Sequence, residues 1–247
     1  MHRFFADASC IDDNVITVTG DDVQHISRVL RLKCGDCIEI CDMCGTDYLC
    51  TVSSVSKTAV TADIIKKMPN SSESNLNITL YQGIPKGDKL DFIIQKSVEL
   101  GAKRIVPVVM QRTVVKLKNA ALKTERQSKI AAEAAKQSKR GIIPKVSSPI
   151  SFDDMINEIK NSDALNILAY ENEEHTDIKS VLKNNGNMTD INIIIGPEGG
   201  FEDDEIKSAK EANINIVTLG PRILRCETAP VAVISAVMYE LGDWKRM

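Results

Sequence analysis

The feature that most limits how this chain can fold begins at Leu76. From there, short apolar runs alternate with stretches of helical period. Strand candidates lie at Asn77 to Gln82, Arg104 to Val109, Ala164 to Tyr170, Ile191 to Ile195 and Ile214 to Leu219. Helix candidates lie at Lys89 to Leu100, Thr124 to Lys139, Phe152 to Lys160, Glu202 to Ala212 and Thr228 to Leu241. Gly101 supplies a C-cap signal for the first helix, and Gly141 with Pro144 stops the second. Strands this apolar, each followed by a helix, predict an α/β fold with a parallel sheet covered by helices.

The stretch before Leu76 reads differently. Cys37 to Ile40 and Tyr48 to Val60 favour extended structure, with turn signals at Cys34-Gly35-Asp36 and Cys44-Gly45-Thr46, which suggests a small barrel. Pro69 to Asn75 is polar, rich in breakers and without period, as a linker is. Two domains are therefore expected, residues 1–70 and 76–247. The first reads MHRFFADAS, with no apolar leader, and the longest apolar run, Ala229 to Tyr239, is too short to span a bilayer and contains Pro230. With seven cysteines and no secretion signal, the expectation is a cytoplasmic protein with reduced thiols and no membrane association.

The net charge of −3 conceals an asymmetry. Residues 1–70 hold 7 basic and 10 acidic residues, whereas residues 85–145 hold 15 basic and 5 acidic. A basic block inside an acidic protein is the footprint of a polyanion partner, because Lys and Arg release counterions from phosphates.

Ile193 to Ile206, IIIGPEGGFEDDEI, places a glycine-rich turn between a buried strand and a helix, where α/β folds bind ligands. Its glycines do not match GxGxxG, and no GK[ST] follows. Glu202, Asp203, Asp204 and Glu205 already complement the helix dipole and would repel a phosphate. A cofactor with a cationic centre and no phosphate suits the turn better, and S-adenosylmethionine has that chemistry. A second stretch, Ile216 to Pro230, runs a strand into Gly220-Pro221, then Arg222 and Arg225, then Thr228 as the expected N-cap with Pro230 in the first turn. Two such turns predict a two-walled pocket whose backbone groups bind an adenine edge.

IGPEGG followed by LGPRILRCETA resembles the cofactor region of the SPOUT methyltransferases, and within them the ribosomal RNA small subunit methyltransferase E family. Arg3-Phe4-Phe5, His25 to Arg31 before Gly35-Asp36, Lys86-Gly87-Asp88-Lys89, Glu99-Leu100-Gly101, Arg112, Gln137-Ser138 and Pro144 extend the likeness over nearly the whole chain. Three positions depart from the pattern: Lys136 and Gln111 stand where Glu is expected, and Glu202 where Ser or Thr caps the helix. The resemblance implies a trefoil-knotted SPOUT domain, an N-terminal PUA-like barrel and a homodimer. It also implies methylation of a uridine at N3 in small-subunit (16S) ribosomal RNA, free or in the assembled subunit.

On that reading Tyr170, Ile195, Gly196, Pro197, Glu198, Gly199, Gly200, Leu219, Gly220, Ile223 and Leu224 bind the cofactor. Arg225 is the leading catalytic residue, since an arginine beside the base stabilises charge developing on O2 or O4. A structural ion pair with Glu227 is its alternative role. Arg3, His25, Arg28, Arg31, Lys86, Arg112 and Arg222 are the RNA-binding candidates, with Lys89, Arg126 and Arg140 as further cations of the basic block. A helix over Gln24 to Leu32 would place Arg28 and Arg31 on one face. Cys34, Cys37, Cys41 and Cys44 form two CxxC pairs separated by only three residues, too close for a zinc ribbon, so no metal is expected. Helix Ala229 to Met238 is apolar nearly all round, which fits burial in the core or at a subunit interface. A sister SPOUT enzyme acting on tRNA or large-subunit RNA, and an assembly factor without catalysis, are the competing readings. A nicotinamide-dependent oxidoreductase fits poorly, because its glycine fingerprint belongs after the first strand.

Overall fold

The computed structural model describes residues 1–115 and 120–244, and the chain divides into two compact units. The first comprises Met1–Glu73 together with Ala135–Ile143. Its elements are β1 (His2–Phe5), β2 (Val15–Thr19), α1 (Asp21–Gln24), β3 (Cys37–Cys41), β4 (Thr46–Val55) and β5 (Ala59–Pro69). The strands form one sheet in the order β1-β3-β4-β5-β2, with β1 parallel to β3 and the other neighbours antiparallel. Alternation explains the packing: Ile16 and Val18 of β2, Ile38 and Ile40 of β3, and Val60 and Ala62 of β5 all point into one core. The expected extended run from Tyr48 to Val60 breaks at a turn, and Val55 pairs with Val60 across a hairpin.

Arg3 lies inside this unit. Its guanidinium pairs with Glu39 and with Asp47 at 2.6 Å and donates to the Arg140 carbonyl at 3.0 Å, leaving the side chain 3% exposed. The Arg140 guanidinium is held by Glu73 at 2.7 and 2.8 Å, and Glu73 also accepts the Gly141 N–H at 2.8 Å. Lys136 meets Asp22 at 2.6 Å, which gives the unexpected lysine a partner. Arg3 and Arg140, expected as RNA-binding cations, are thus buried and paired with carboxylates of their own unit.

The expected helix over Gln24 to Leu32 is also revised. After α1 the chain makes a wider turn over His25–Val29, with the Leu30 N–H donating to the His25 carbonyl at 2.9 Å, and Arg31 enters left-handed backbone at φ 55°. Arg31 is therefore off the helix, yet His25, Arg28 and Arg31 are all exposed on this turn.

The second unit comprises Ser74–Ala134 and Pro144–Met247. Its elements are β6 (Asn77–Gly83), α2 (Lys89–Glu99), β7 (Arg104–Val109), α3 (Ala120–Gln137, whose last residues belong to the first unit), β8 (Lys145–Val146), β9 (Ile150–Ser151), α4 (Phe152–Lys160), β10 (Leu165–Ala169), α5 (Ile178–Asn184), β11 (Asp190–Ile195), α6 (Asp203–Glu211), β12 (Asn215–Val217) and α7 (Thr228–Glu240). The sheet runs β12-β10-β11-β6-β7-β8, with β9 also pairing β7, and every pairing is parallel.

Helices α4 and α6 pack on one another, with α4 against β7 and α6 against β12, and Met155, Ile156, Ile206 and Ala209 join Leu168 and Ile194 in one core. Helix α7 packs on β6, β11 and α2. Five residues of β11 are buried in succession, as a strand covered on both faces requires. Gly101 ends α2 at φ 103°, with its N–H on the Val98 carbonyl at 3.1 Å and the Ala102 N–H on the Ser97 carbonyl at 2.9 Å.

Arg3→Met should lower the stability of the first unit by about 3 kcal/mol, since Glu39 and Asp47 would keep their burial and lose their counter-charge. Urea denaturation followed by circular dichroism measures the shift.

Candidate functional site

Parallel register brings three strand ends level. Ala169 pairs with Ile195 on one side and with Val217 on the other, so β10 lies between β11 and β12 and all three stop together. The loops that follow, Tyr170–Asp177, Gly196–Glu202 and Thr218–Glu227, surround a cavity of about 830 Å³. The pocket thus has three walls, and the third, after β10, is the one the sequence pattern did not reveal.

The Gly196–Glu202 loop is packed so closely that glycine is required. The Gly200 N–H donates to the Pro197 carbonyl at 3.0 Å, Gly200 sits at φ 70°, and the Glu171 carboxylate lies against its Cα. A Cβ on Gly83, at the end of β6, would overlap the Pro197 nitrogen and ring. The Gln82 side-chain amide, fully buried, donates to the carbonyls of Gly83 and Gly196 at 3.0 and 3.4 Å and joins the loop to the neighbouring strand.

Glu198 faces the cavity but is already engaged. The Lys86 N–H donates to both its oxygens at 3.0 and 3.2 Å, and the Lys89 ammonium lies at 2.9 Å. Burial pushes the Glu198 carboxyl up, yet these bonds outweigh it and hold the group below the usual glutamate range. Lys89 also lies 3.6 Å from Glu227, whose carboxylate accepts the Cys226 thiol at 3.2 Å. Burial and that carboxylate push the Cys226 thiol up to about 12, so no thiolate forms at neutral pH.

In the third loop the Gly220 N–H donates to Thr218 Oγ1 at 3.2 Å, and Gly220 takes φ 101°. A Cβ there would meet nothing within 4 Å, so the glycine leaves open space in the cavity. Pro221, Arg222, Ile223 and Arg225 are exposed, Ile223 at 83%. No carboxylate among the described residues forms an ion pair with Arg225, and Glu227 is engaged by Cys226 instead. Helix α7 begins at Thr228, with Glu227 in the cap position expected for Thr228 and no side-chain cap bond.

Of the expected cofactor residues, Tyr170, Ile195, Gly196, Pro197, Glu198, Gly200, Leu219, Gly220, Ile223 and Leu224 line the cavity, as do Arg222 and Arg225. Gly199 does not: it turns outward onto the stem of Arg112. Glu171, Glu173 and Glu174 after β10 also line the cavity and make its rim acidic. The only sequence signal for them was the apolar run ending at Tyr170. Lys89 proves to be a cavity residue and not merely one cation of the basic block. Lys86 contributes its backbone N–H to the site while its side chain stays exposed.

A model of the RNA methyltransferase domain matches residues 72–238, and one of the RNA methyltransferase PUA domain matches residues 18–65. The ribosomal RNA small subunit methyltransferase E of Bacillus subtilis is 37% identical, covering 91% of this chain and 90% of its own. That of a Buchnera aphidicola strain is 33% identical, covering 95% and 92%. The crystal structure of ribosomal RNA small subunit methyltransferase E from Neisseria gonorrhoeae bound to S-adenosyl methionine matches with a TM-score of 0.90 at 32% identity, covering 99% of this chain and 100% of that one.

Gly83→Ala should displace the Gly196–Glu202 loop, since the new methyl meets backbone that cannot yield. Amide hydrogen exchange over residues 193–206 should quicken relative to the parent protein.

Proposed function

The chain belongs to the ribosomal RNA small subunit methyltransferase E family, and from that premise we propose that it methylates N3 of a specific uridine in 16S ribosomal RNA, with S-adenosylmethionine as donor. The observation that carries the reading is the glycine-lined, acid-rimmed cavity at three level strand ends. The cavity fits the cofactor on its own terms. Its volume is that of a small-molecule site. The open space beside Gly220 admits a ligand against the backbone, while Ile195, Leu219 and Leu224 offer apolar surface. The carboxylates of Glu171 and Glu174 on the rim suit a cationic ligand and oppose a phosphate. When bound, S-adenosylmethionine supplies an electrophilic methyl group on a sulfonium.

The protein's own part in the reaction is orientation and charge. Uridine N3 carries a proton at neutral pH, and its loss spreads negative charge over O2 and O4. Arg225, exposed on the cavity lip without an ion-pair partner among the described residues, is placed to stabilise that charge. Glu198 is a poor base, because two donors, the Lys86 N–H and the Lys89 ammonium, occupy its carboxylate and hold its pKa down. Glu227 is likewise held below the usual range, chiefly by the Cys226 thiol. Neither carboxylate is assigned as the base, and loss of the proton to water at the open lip needs none.

In the same reading, the cytoplasmic protein acts as a homodimer, the methyltransferase region (residues 76–247) carries the family's trefoil knot, and residues 1–70 form a PUA-like module that grips RNA. His25, Arg28 and Arg31 on the exposed turn, with Lys86 and Arg222 near the cavity, are the cations assigned to phosphates. Few aromatics are available for base stacking, which favours recognition through backbone and shape.

The test is transfer of labelled methyl from S-adenosylmethionine to small ribosomal subunits from cells lacking this protein, beside total tRNA, followed by nucleoside mass spectrometry. The expected product is 3-methyluridine in the small subunit alone; label in tRNA would move the function to a sister enzyme. Arg225→Ala should keep its fold and its cofactor affinity while losing on the order of 100-fold in transfer rate. Near-normal transfer by the folded variant would remove Arg225 from the mechanism.

A further inference from the structure

Arg112 stands apart from the other cations of the basic block. Its Nε and Nη2 bond the two carboxylate oxygens of Glu202 at 2.8 and 3.0 Å, and its Nη1 donates to the Gly199 carbonyl at 2.8 Å. Every nitrogen of the guanidinium is therefore committed to the Gly196–Glu202 loop. The stem takes part as well, since a Cβ on Gly199 would lie 3.0 Å from the Cβ of Arg112 and 3.3 Å from its Cδ. A side chain at position 199 would therefore press on the Arg112 stem.

The neighbours of Arg112 make this grip rigid. The Thr113 N–H donates to the Met110 carbonyl and the Met110 N–H to Thr113 Oγ1, both at 2.9 Å, closing a tight turn after β7. The Gln111 N–H donates at 2.9 Å to Glu205, a buried carboxylate whose other oxygen accepts the Glu202 N–H at 3.0 Å. The loop is consequently held from two sides, at Glu198 from the start of α2 and at Gly199 to Glu205 from the end of β7. The hydrogen bond to Glu202 raises the Arg112 pKa, and Glu171 and Asp203 add negative charge nearby. A phosphate approaching Arg112 would have to displace a two-pronged carboxylate inside an acidic neighbourhood.

We propose that Arg112 is a positioning residue that sets the geometry of the cofactor loop, and not a contact to RNA. An exposed ion pair usually contributes little, but a two-pronged arginine–carboxylate pair tied to a backbone carbonyl is the favourable exception. The effect on ligand binding rests on the reading that S-adenosylmethionine occupies the cavity; the effect on loop order does not.

Three full-length variants test it: Arg112→Ala, Arg112→Lys and Glu202→Ala. Amide exchange over residues 193–206 without ligand, calorimetric affinity for S-adenosylmethionine, and filter binding of small-subunit RNA are measured for each. All three should exchange faster there and bind the cofactor about fivefold more weakly, lysine included because it lacks the fork, with RNA affinity unchanged. Unchanged exchange in Arg112→Ala would overturn the proposal. So would RNA affinity that falls in Arg112→Ala and rises in Glu202→Ala, the signature of a phosphate contact restrained by its carboxylate. Failure of the parent protein to bind S-adenosylmethionine would sink the cofactor reading, while the exchange comparison would still decide the role of Arg112.

Discussion

Burial of a parallel sheet on both faces is the constraint from which the site follows. A strand such as β11, buried along five successive residues, cannot slip in register without leaving ladder bonds unmade. The pairings of Ala169 with Ile195 and Val217 therefore hold three strand ends at one level. Side chains and turns placed just past those ends converge without any sequence proximity, which is why α/β sheets bind ligands there.

The Gly196–Glu202 loop converts that alignment into a shaped cavity. Backbone of Pro197 against Gly83 leaves no room for a side chain there, the left-handed backbone of Gly200 disfavours one, and Arg112 packs closely on Gly199. The acids around the loop divide into two groups. Glu198, Glu202 and Glu205 are consumed by Lys86, Lys89, Gln111 and Arg112, and their work is to hold backbone. Glu171 and Glu174 remain on the rim, where their charge faces whatever enters. Arg225 is the complementary case, an exposed cation on the same lip that forms no ion pair among the described residues.

Much of this was legible in advance where it depended on local pattern. Arg104–Val109 and Phe152–Lys160 occur with the bounds their residues suggest, and the other large elements shift by a few residues at their ends. Strand β12 is shorter than its apolar run because the chain leaves the sheet at Thr218. Helix α5 was not legible: seven residues are too few to display a period, and its signal is only the Asp177 cap on the Ser180 N–H at 2.8 Å. Strands β1 and β2 were missed because each is short and lies at an edge of its sheet.

By itself the sequence determined the alternation of strand and helix, the two glycine turns at strand ends and the acidic character of the loop, since each of these is written in neighbouring residues. It also carried the family likeness over nearly the whole chain. Only the tertiary structure decided that β10 stands between β11 and β12, that the segment Ala135–Ile143 joins the first unit, and which arginines are spent on structure. Arg3 and the Arg140 carbonyl meet across 137 positions, and Arg112 and Glu202 across 90. A charge read along the chain looks the same whether it faces water, a phosphate or a distant carboxylate. Its fate is set by the desolvation and partner it finds when the chain folds.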